Sequence, residues 1–143
     1  MKPLNELKMQ LESRSVNEGY ARTAVSAFIS QLDPTIEELN DIRTSVSEAV
    51  TNCIVHAYKN SCGKIYIDVK IFGDGKTVTK IRDKGRGIED VKKARQPLFT
   101  TLGGDRSGLG FSVMESFSDK VHVTSKLGKG ATVTLYKTIK GKE

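Results

Sequence analysis

Along residues 6 to 12, Leu7, Met9 and Leu11 alternate with Lys8, Gln10 and Glu12, the period of two that marks a half-buried strand. From Val16 to Leu32 the period lengthens. Tyr20, Ala21, Ala24, Val25, Phe28, Ile29 and Leu32 recur at helical spacing, with Arg22 and Ser26 elsewhere on the wheel, which predicts an amphipathic helix packed on the rest of the chain. Asp33-Pro34-Thr35 stops this helix and starts another: Asp33 can cap, Pro34 suits a first helical position, and Thr35 with Glu38 has capping-box spacing. Ile36, Leu39, Ile42, Val46, Val50, Cys53 and Ile54 carry the second helix to about Ala57, and Asn60-Ser61-Cys62-Gly63 ends it.

Alternation then returns. Ile65, Ile67, Val69 and Ile71 form one face of a strand, Gly73-Asp74-Gly75 makes a hairpin turn, and the return strand over 77–83 puts Thr79, Ile81 and Asp83 on one side. Asp83 shares that side with Ile81, so its carboxylate is expected to point into the buried layer or, as a bland alternative, to cap the turn that follows. Residues 89 to 95 read as a short helix, whereas Gln96 to Ser107 show no period and, with hydroxyls, glycines and one Arg, read as a lid over a ligand. Gly108-Leu109-Gly110 opens a helix with Leu109, Val113, Met114 and Phe117 on its apolar face. Strands over 121–125 and 131–136, joined at Leu127-Gly128-Lys129-Gly130, close the chain. The order predicts a single domain over 1–143 of the α+β class, a two-layer α/β sandwich whose mixed, mostly antiparallel sheet carries helices on one face.

One helical stripe departs from ordinary surface chemistry. A helix advances about 100° per residue, so Glu48, Asn52 and His56 stay along one edge, flanked by Ala49, Val50, Cys53, Ile54 and Val55. Flexible Lys and Glu cover a solvated face; an acid, an amide and an imidazole bordered by apolar residues read as a pocket wall. After the central hairpin, Asp83-Lys84-Gly85-Arg86-Gly87 lets backbone approach a ligand closely, and free N–H groups where Gly108 to Gly110 start a helix suit phosphate. His56 sits within the pocket helix, which favours a hydrogen-bonded structural role over that of a phosphoacceptor.

Composition narrows the classes. The chain has 143 residues with 37% hydrophobic and 28% charged positions, enough for one core without disulfides or a structural metal. Two cysteines, Cys53 and Cys62, match no zinc or iron–sulfur spacing and read as reduced thiols. Neither a signal peptide nor a long apolar run occurs, so a cytoplasmic protein without a membrane partner is expected. The net charge of +6 suits an anionic partner, but the basic residues are scattered without aromatic platforms, which argues against direct nucleic-acid binding.

The ordered set of E-x-x-x-N on a helix, D-x-G-x-G after a strand, a Thr/Gly segment and G-x-G at a helix start resembles the GHKL ATP-binding superfamily of gyrase, heat-shock chaperone and histidine kinase type. Within it, Ser47-Glu48-Ala49-Val50-Thr51-Asn52, Arg95-Gln96-Pro97-Leu98-Phe99-Thr100-Thr101 and Arg106-Ser107-Gly108-Leu109-Gly110-Phe111 are similar to segments of the sporulation anti-sigma F factors, which are serine protein kinases. The resemblance covers nearly the whole chain and implies the GHKL (Bergerat) fold, ATP or ADP with Mg²⁺, and homodimerisation. It also implies two partners: an RNA polymerase sigma factor, sigma F or a stress-response sigma, and an anti-anti-sigma factor phosphorylated on serine.

By that resemblance Asn52 ligands Mg²⁺, Glu48 is the catalytic base and Asp83 accepts from the adenine amino group. Gly85, Gly87 and Ile88 line the ring. Thr100, Thr101, Arg106 and Ser107 belong to the lid, Gly108, Leu109 and Gly110 meet phosphates, Thr132 matches a Thr beside adenine, and Arg22 matches a partner-facing Arg. The sequence departs from the family at Gly103-Gly104 and at Ala131, where Thr is common. A purely binding anti-sigma module and a GHKL ATPase or histidine-kinase domain are the rival readings.

Overall fold

The structure, a computed structural model, describes residues 1–58, 61–88, 91–95 and 110–141. The strand with the cleanest alternation buries one whole face. In β2 (Lys64–Ile71), Ile65, Ile67, Val69 and Ile71 are all fully buried. It pairs antiparallel with β1 (Asn5–Glu12), setting Leu7 opposite Val69, Met9 opposite Ile67 and Leu11 opposite Ile65, and with β3 (Lys76–Asp83), setting Ile67 opposite Ile81 and Ile65 opposite Asp83. The closing hairpin of β4 (Lys120–Lys126) and β5 (Gly130–Thr138) joins through β5, giving the order β1-β2-β3-β5-β4 with every pairing among the described strands antiparallel.

The helices cover the face carrying those apolar rows. Helix α1 (Val16–Ile29) buries Ala21, Val25, Ser26 and Ile29. The predicted stripe was therefore rotated slightly wrong, because Tyr20 is exposed while Ser26 is buried with its hydroxyl donating to the Thr23 carbonyl. A single 3₁₀ turn over Ser30–Leu32 ends at Asp33 with φ +52. Thr35 is the cap of α2 (Ile36–Asn52), with the full reciprocal capping box to Glu38. Asp33 thus ends one element rather than starting the next, and Pro34 lies before the cap rather than at the first helical position.

Helix α2 buries Ile42, Ser45, Val46, Ala49 and Val50 and then widens into a π turn over Cys53–Ala57. Such turns shift the side chains that follow relative to an α-helical wheel. His56 consequently does not continue the Glu48–Asn52 stripe with the four-residue geometry expected for it. The short α3 (Val91–Ala94) and α4 (Gly110–Phe117) complete the helical layer. Phe111 and Met114 of α4 are buried while Phe117 is partly exposed.

Candidate functional site

The end of α2, the loop after β3 and the start of α4 converge on one side of the sheet. Glu48 and Asn52, a turn apart on α2, both face Gly110. A Cβ at Gly110 would stand 3.4 Å from Glu48 Oε2 and 3.4 Å from Asn52 Oδ1. This bare backbone opposite a carboxylate and an amide oxygen leaves a cradle that a side chain would fill. One amide oxygen beside one carboxylate is a hard, oxygen-only donor set suited to Mg²⁺, which keeps several waters and shares ligands with phosphates. Among the described residues no three or more His, Cys, Asp or Glu side chains gather into an all-protein metal cage.

Asp83 forms the floor. Only 7% exposed, it accepts hydrogen bonds at Oδ1 from the N–H of Gly85 (2.9 Å) and of Ala131 (3.2 Å), and at Oδ2 from the Cys53 thiol (3.5 Å). It both caps the following turn and sits in the buried layer, so the two readings of this residue hold together. Burial pushes its carboxyl above the ordinary range, opposed by the hydrogen bonds from Gly85, Ala131 and Cys53. Burial likewise drives the Cys53 thiol well up, and the neighbouring Asp83 charge adds to the effect.

The glycine loop is clamped from two sides. Toward α2, the Arg86 N–H donates to the Ala57 carbonyl (3.1 Å), and Tyr58 Oη accepts from the Lys84 N–H (2.7 Å) while donating to the Lys64 carbonyl (2.7 Å). Gly85 passes so close to the Ala57 carbonyl that a Cβ would collide with it. Toward the closing hairpin, the Ile88 N–H donates to Ser125 Oγ (2.7 Å) and the Gly128 N–H to the Arg86 carbonyl (2.7 Å). Gly87, between these anchors, and Ile88, packed on the core, complete the loop.

Thr132 requires a correction. It pairs with Arg82 and Thr124, while its neighbour Val133 pairs with the buried Ile81 and Val123. Successive strand residues face opposite ways, so Thr132 stands on the sheet face away from Asp83, and it is Ala131 whose backbone reaches the carboxylate. Arg22 pairs with Glu18 one turn earlier, and Glu18 Oε2 also accepts from Ser47 Oγ (3.0 Å) on α2. This half-exposed cluster links α1 to α2. His56 lies on the π turn. Thr100, Thr101, Arg106, Ser107, Gly108 and Leu109, like the rest of the expected lid, lie outside the described residues. The contributions of Cys53, Tyr58, Ser125 and Ala131 escaped the sequence reading; apolar periodicity placed Cys53 inward but carried no sign of its acidic partner.

Residues 11–137 match the histidine kinase-like ATPase domain family. Among curated relatives, the anti-sigma F factor of Caldanaerobacter subterraneus subsp. tengcongensis is 54% identical, covering 94% of each chain. That of a Thermoanaerobacter species is 52% identical over 97% of each. Among solved structures, the RsbU and RsbW domains of a Mycobacterium tuberculosis protein superpose with a TM-score of 0.70 at 19% identity, over 96% of this chain and 33% of that longer one, a likeness of fold.

Proposed function

Because the chain belongs to the histidine kinase-like ATPase domain family and, within it, to the anti-sigma F factors, we propose that it binds ATP and Mg²⁺, sequesters an RNA polymerase sigma factor, and phosphorylates a serine of an anti-anti-sigma factor. The sigma factor is sporulation sigma F, as the relatives' name implies, and the working form is a homodimer. The observation that carries the nucleotide part is the cradle in which Glu48 and Asn52 face Gly110, beside a buried acidic floor at Asp83.

In this reading Asn52 Oδ1 holds Mg²⁺, which when bound neutralises charge on the phosphate oxygens. Glu48 accepts the proton of the acceptor serine hydroxyl and orients its oxygen toward the terminal phosphate. Asp83 accepts from the adenine amino group while its backbone donors keep the carboxylate in place. Gly85, Gly87 and Ile88 flank the base, and the N–H groups of Gly108, Leu109 and Gly110 meet phosphate. Thr100, Thr101, Arg106 and Ser107 close over the nucleotide. Arg22, on α1, contacts the protein partner.

Incubation with labelled ATP, Mg²⁺ and a candidate anti-anti-sigma protein tests the enzyme. Serine phosphate is the expected product, and its absence alongside intact ATP binding rejects the kinase in favour of a binding module. Co-purification with sigma F tests the regulatory half, and failure to retain any sporulation or stress sigma factor rejects it.

A further inference from the structure

Asp83 is asked to be an acceptor in a place that discourages its charge. It is 7% exposed, and burial favours the neutral carboxyl, which carries a proton and can donate. An adenine amino group needs an acceptor; a 6-oxo purine such as hypoxanthine presents the opposite pattern and is matched by a protonated carboxyl. Whatever keeps Asp83 ionised and correctly turned therefore selects the base. Two of its hydrogen bonds are backbone N–H groups on Oδ1, from Gly85 and Ala131. On Oδ2 the described donor is a side chain, the Cys53 thiol at 3.5 Å.

We infer, building on the ATP-binding reading, that Cys53 is a positioning residue for base recognition: its S–H, donated to Asp83 Oδ2, holds the carboxylate as an oriented acceptor and so favours 6-amino over 6-oxo purine nucleotides. The thiol is well placed for this work. It is buried at 3% exposure as the first residue of the π turn, and the wider turn ends at Ala57 and is followed by Tyr58, both of which pin the loop that follows Asp83. Its Sγ stands 3.5 Å from Asp83 Oδ2, within reach for an S–H donor. The elements packed on Asp83 present it with Cys53 and Tyr58 from the end of α2, Ile65 from β2, and the Gly85 and Ala131 backbone from the loop and β5. Of these side chains Cys53 and Tyr58 titrate, and Tyr58 is itself pushed up by burial, so both are neutral near pH 7.

The inference is tested with the full chain and its Cys53→Ala and Cys53→Ser variants, in two measurements. Carboxyl NMR of the nucleotide-free protein follows the Asp83 titration directly: Cys53→Ala should move the midpoint upward, and Cys53→Ser, which restores a donor, should move it back toward the parent. Calorimetric titration with ATP and with inosine triphosphate between pH 5.5 and 8 reads the consequence. Cys53→Ala should lose about two- to tenfold in ATP affinity, the scale of one ordinary hydrogen bond, since a thiol is a weak donor, with the loss growing as pH falls and the preference for ATP over inosine triphosphate narrowing. An unchanged Asp83 midpoint, or an unchanged preference and pH profile in a folded Cys53→Ala protein that still binds ATP, overturns the role of Cys53 alone. If the parent protein binds neither nucleotide, the ATP-binding reading fails, and the role of Cys53 in base selection fails with it.

Discussion

At the scale of single residues, the proposed site would separate groups that hold position from groups that do chemistry. Asn at position 83 keeps an oxygen for the Gly85 and Ala131 N–H groups but turns an amide donor toward the base, where the adenine amino group is also a donor. Asp83→Asn should therefore leave the melting curve near that of the parent while weakening ATP about 10- to 100-fold, the range expected for losing a charged hydrogen bond; calorimetry reads both. Glu48→Gln keeps the shape of the side chain but cannot take a proton. It should bind ATP with near-parental affinity and transfer phosphate at least about 100-fold more slowly, measured by single-turnover phosphorylation. These two residues were legible in the sequence because helical and strand periodicities place side chains on faces. Thr132 was not, since the family likeness is a motif match and a one-residue displacement along a strand moves a side chain through the sheet.

At the scale of elements, the start of α2 does more than the capping box announces. Glu38 accepts from the Thr35 N–H in the box (2.9 Å) and also from the N–H groups of Lys140 (2.8 Å) and Gly141 (3.1 Å), so one carboxylate ties the end of the chain to the helix N-terminus. Desolvation raises its pKa, but the hydrogen bonds from Thr35, Lys140 and Gly141 outweigh it and the net shift is below the ordinary 4.5. A carboxylate lowered on folding stabilises the protein above its unfolded value, and that contribution fades as pH falls through the lower folded value. Acidification below about pH 4.5 should thus release residues 140–141, followed by amide exchange, and Glu38→Ala should show the release at neutral pH with a stability loss of about 1 kcal/mol. The box was readable from Thr35 and Glu38 alone. The Lys140 and Gly141 contacts were not, because they join positions more than a hundred residues apart.

At the scale of the whole molecule, the same limit governs charge. Lys137 is one of the scattered basic residues in the sequence, yet it lies on the core side of β5, with its neighbour Leu135 buried two residues before, and its ammonium meets Asp41 of α2 at 2.9 Å with both side chains largely covered. Lys137→Ala would strand the Asp41 carboxylate between sheet and helix and should cost about 1–3 kcal/mol, whereas the Lys137→Met, Asp41→Leu pair should recover most of it; denaturant unfolding distinguishes the two. The sequence by itself determined the element order, the face each strand buries and the antiparallel hairpins, and it supplied Glu48, Asn52 and Asp83 as candidates, because all of these follow from periods and motifs within a few residues. Tertiary structure decided the contacts between distant segments. It placed Gly110 over the Glu48–Asn52 edge, Ala131 rather than Thr132 at Asp83, and the Cys53 thiol on the carboxylate. It also brought the glycine loop against a π turn that no local pattern announces. Such contacts depend on register and on how a helix end unwinds against its neighbours, and those are settled only when the layers pack.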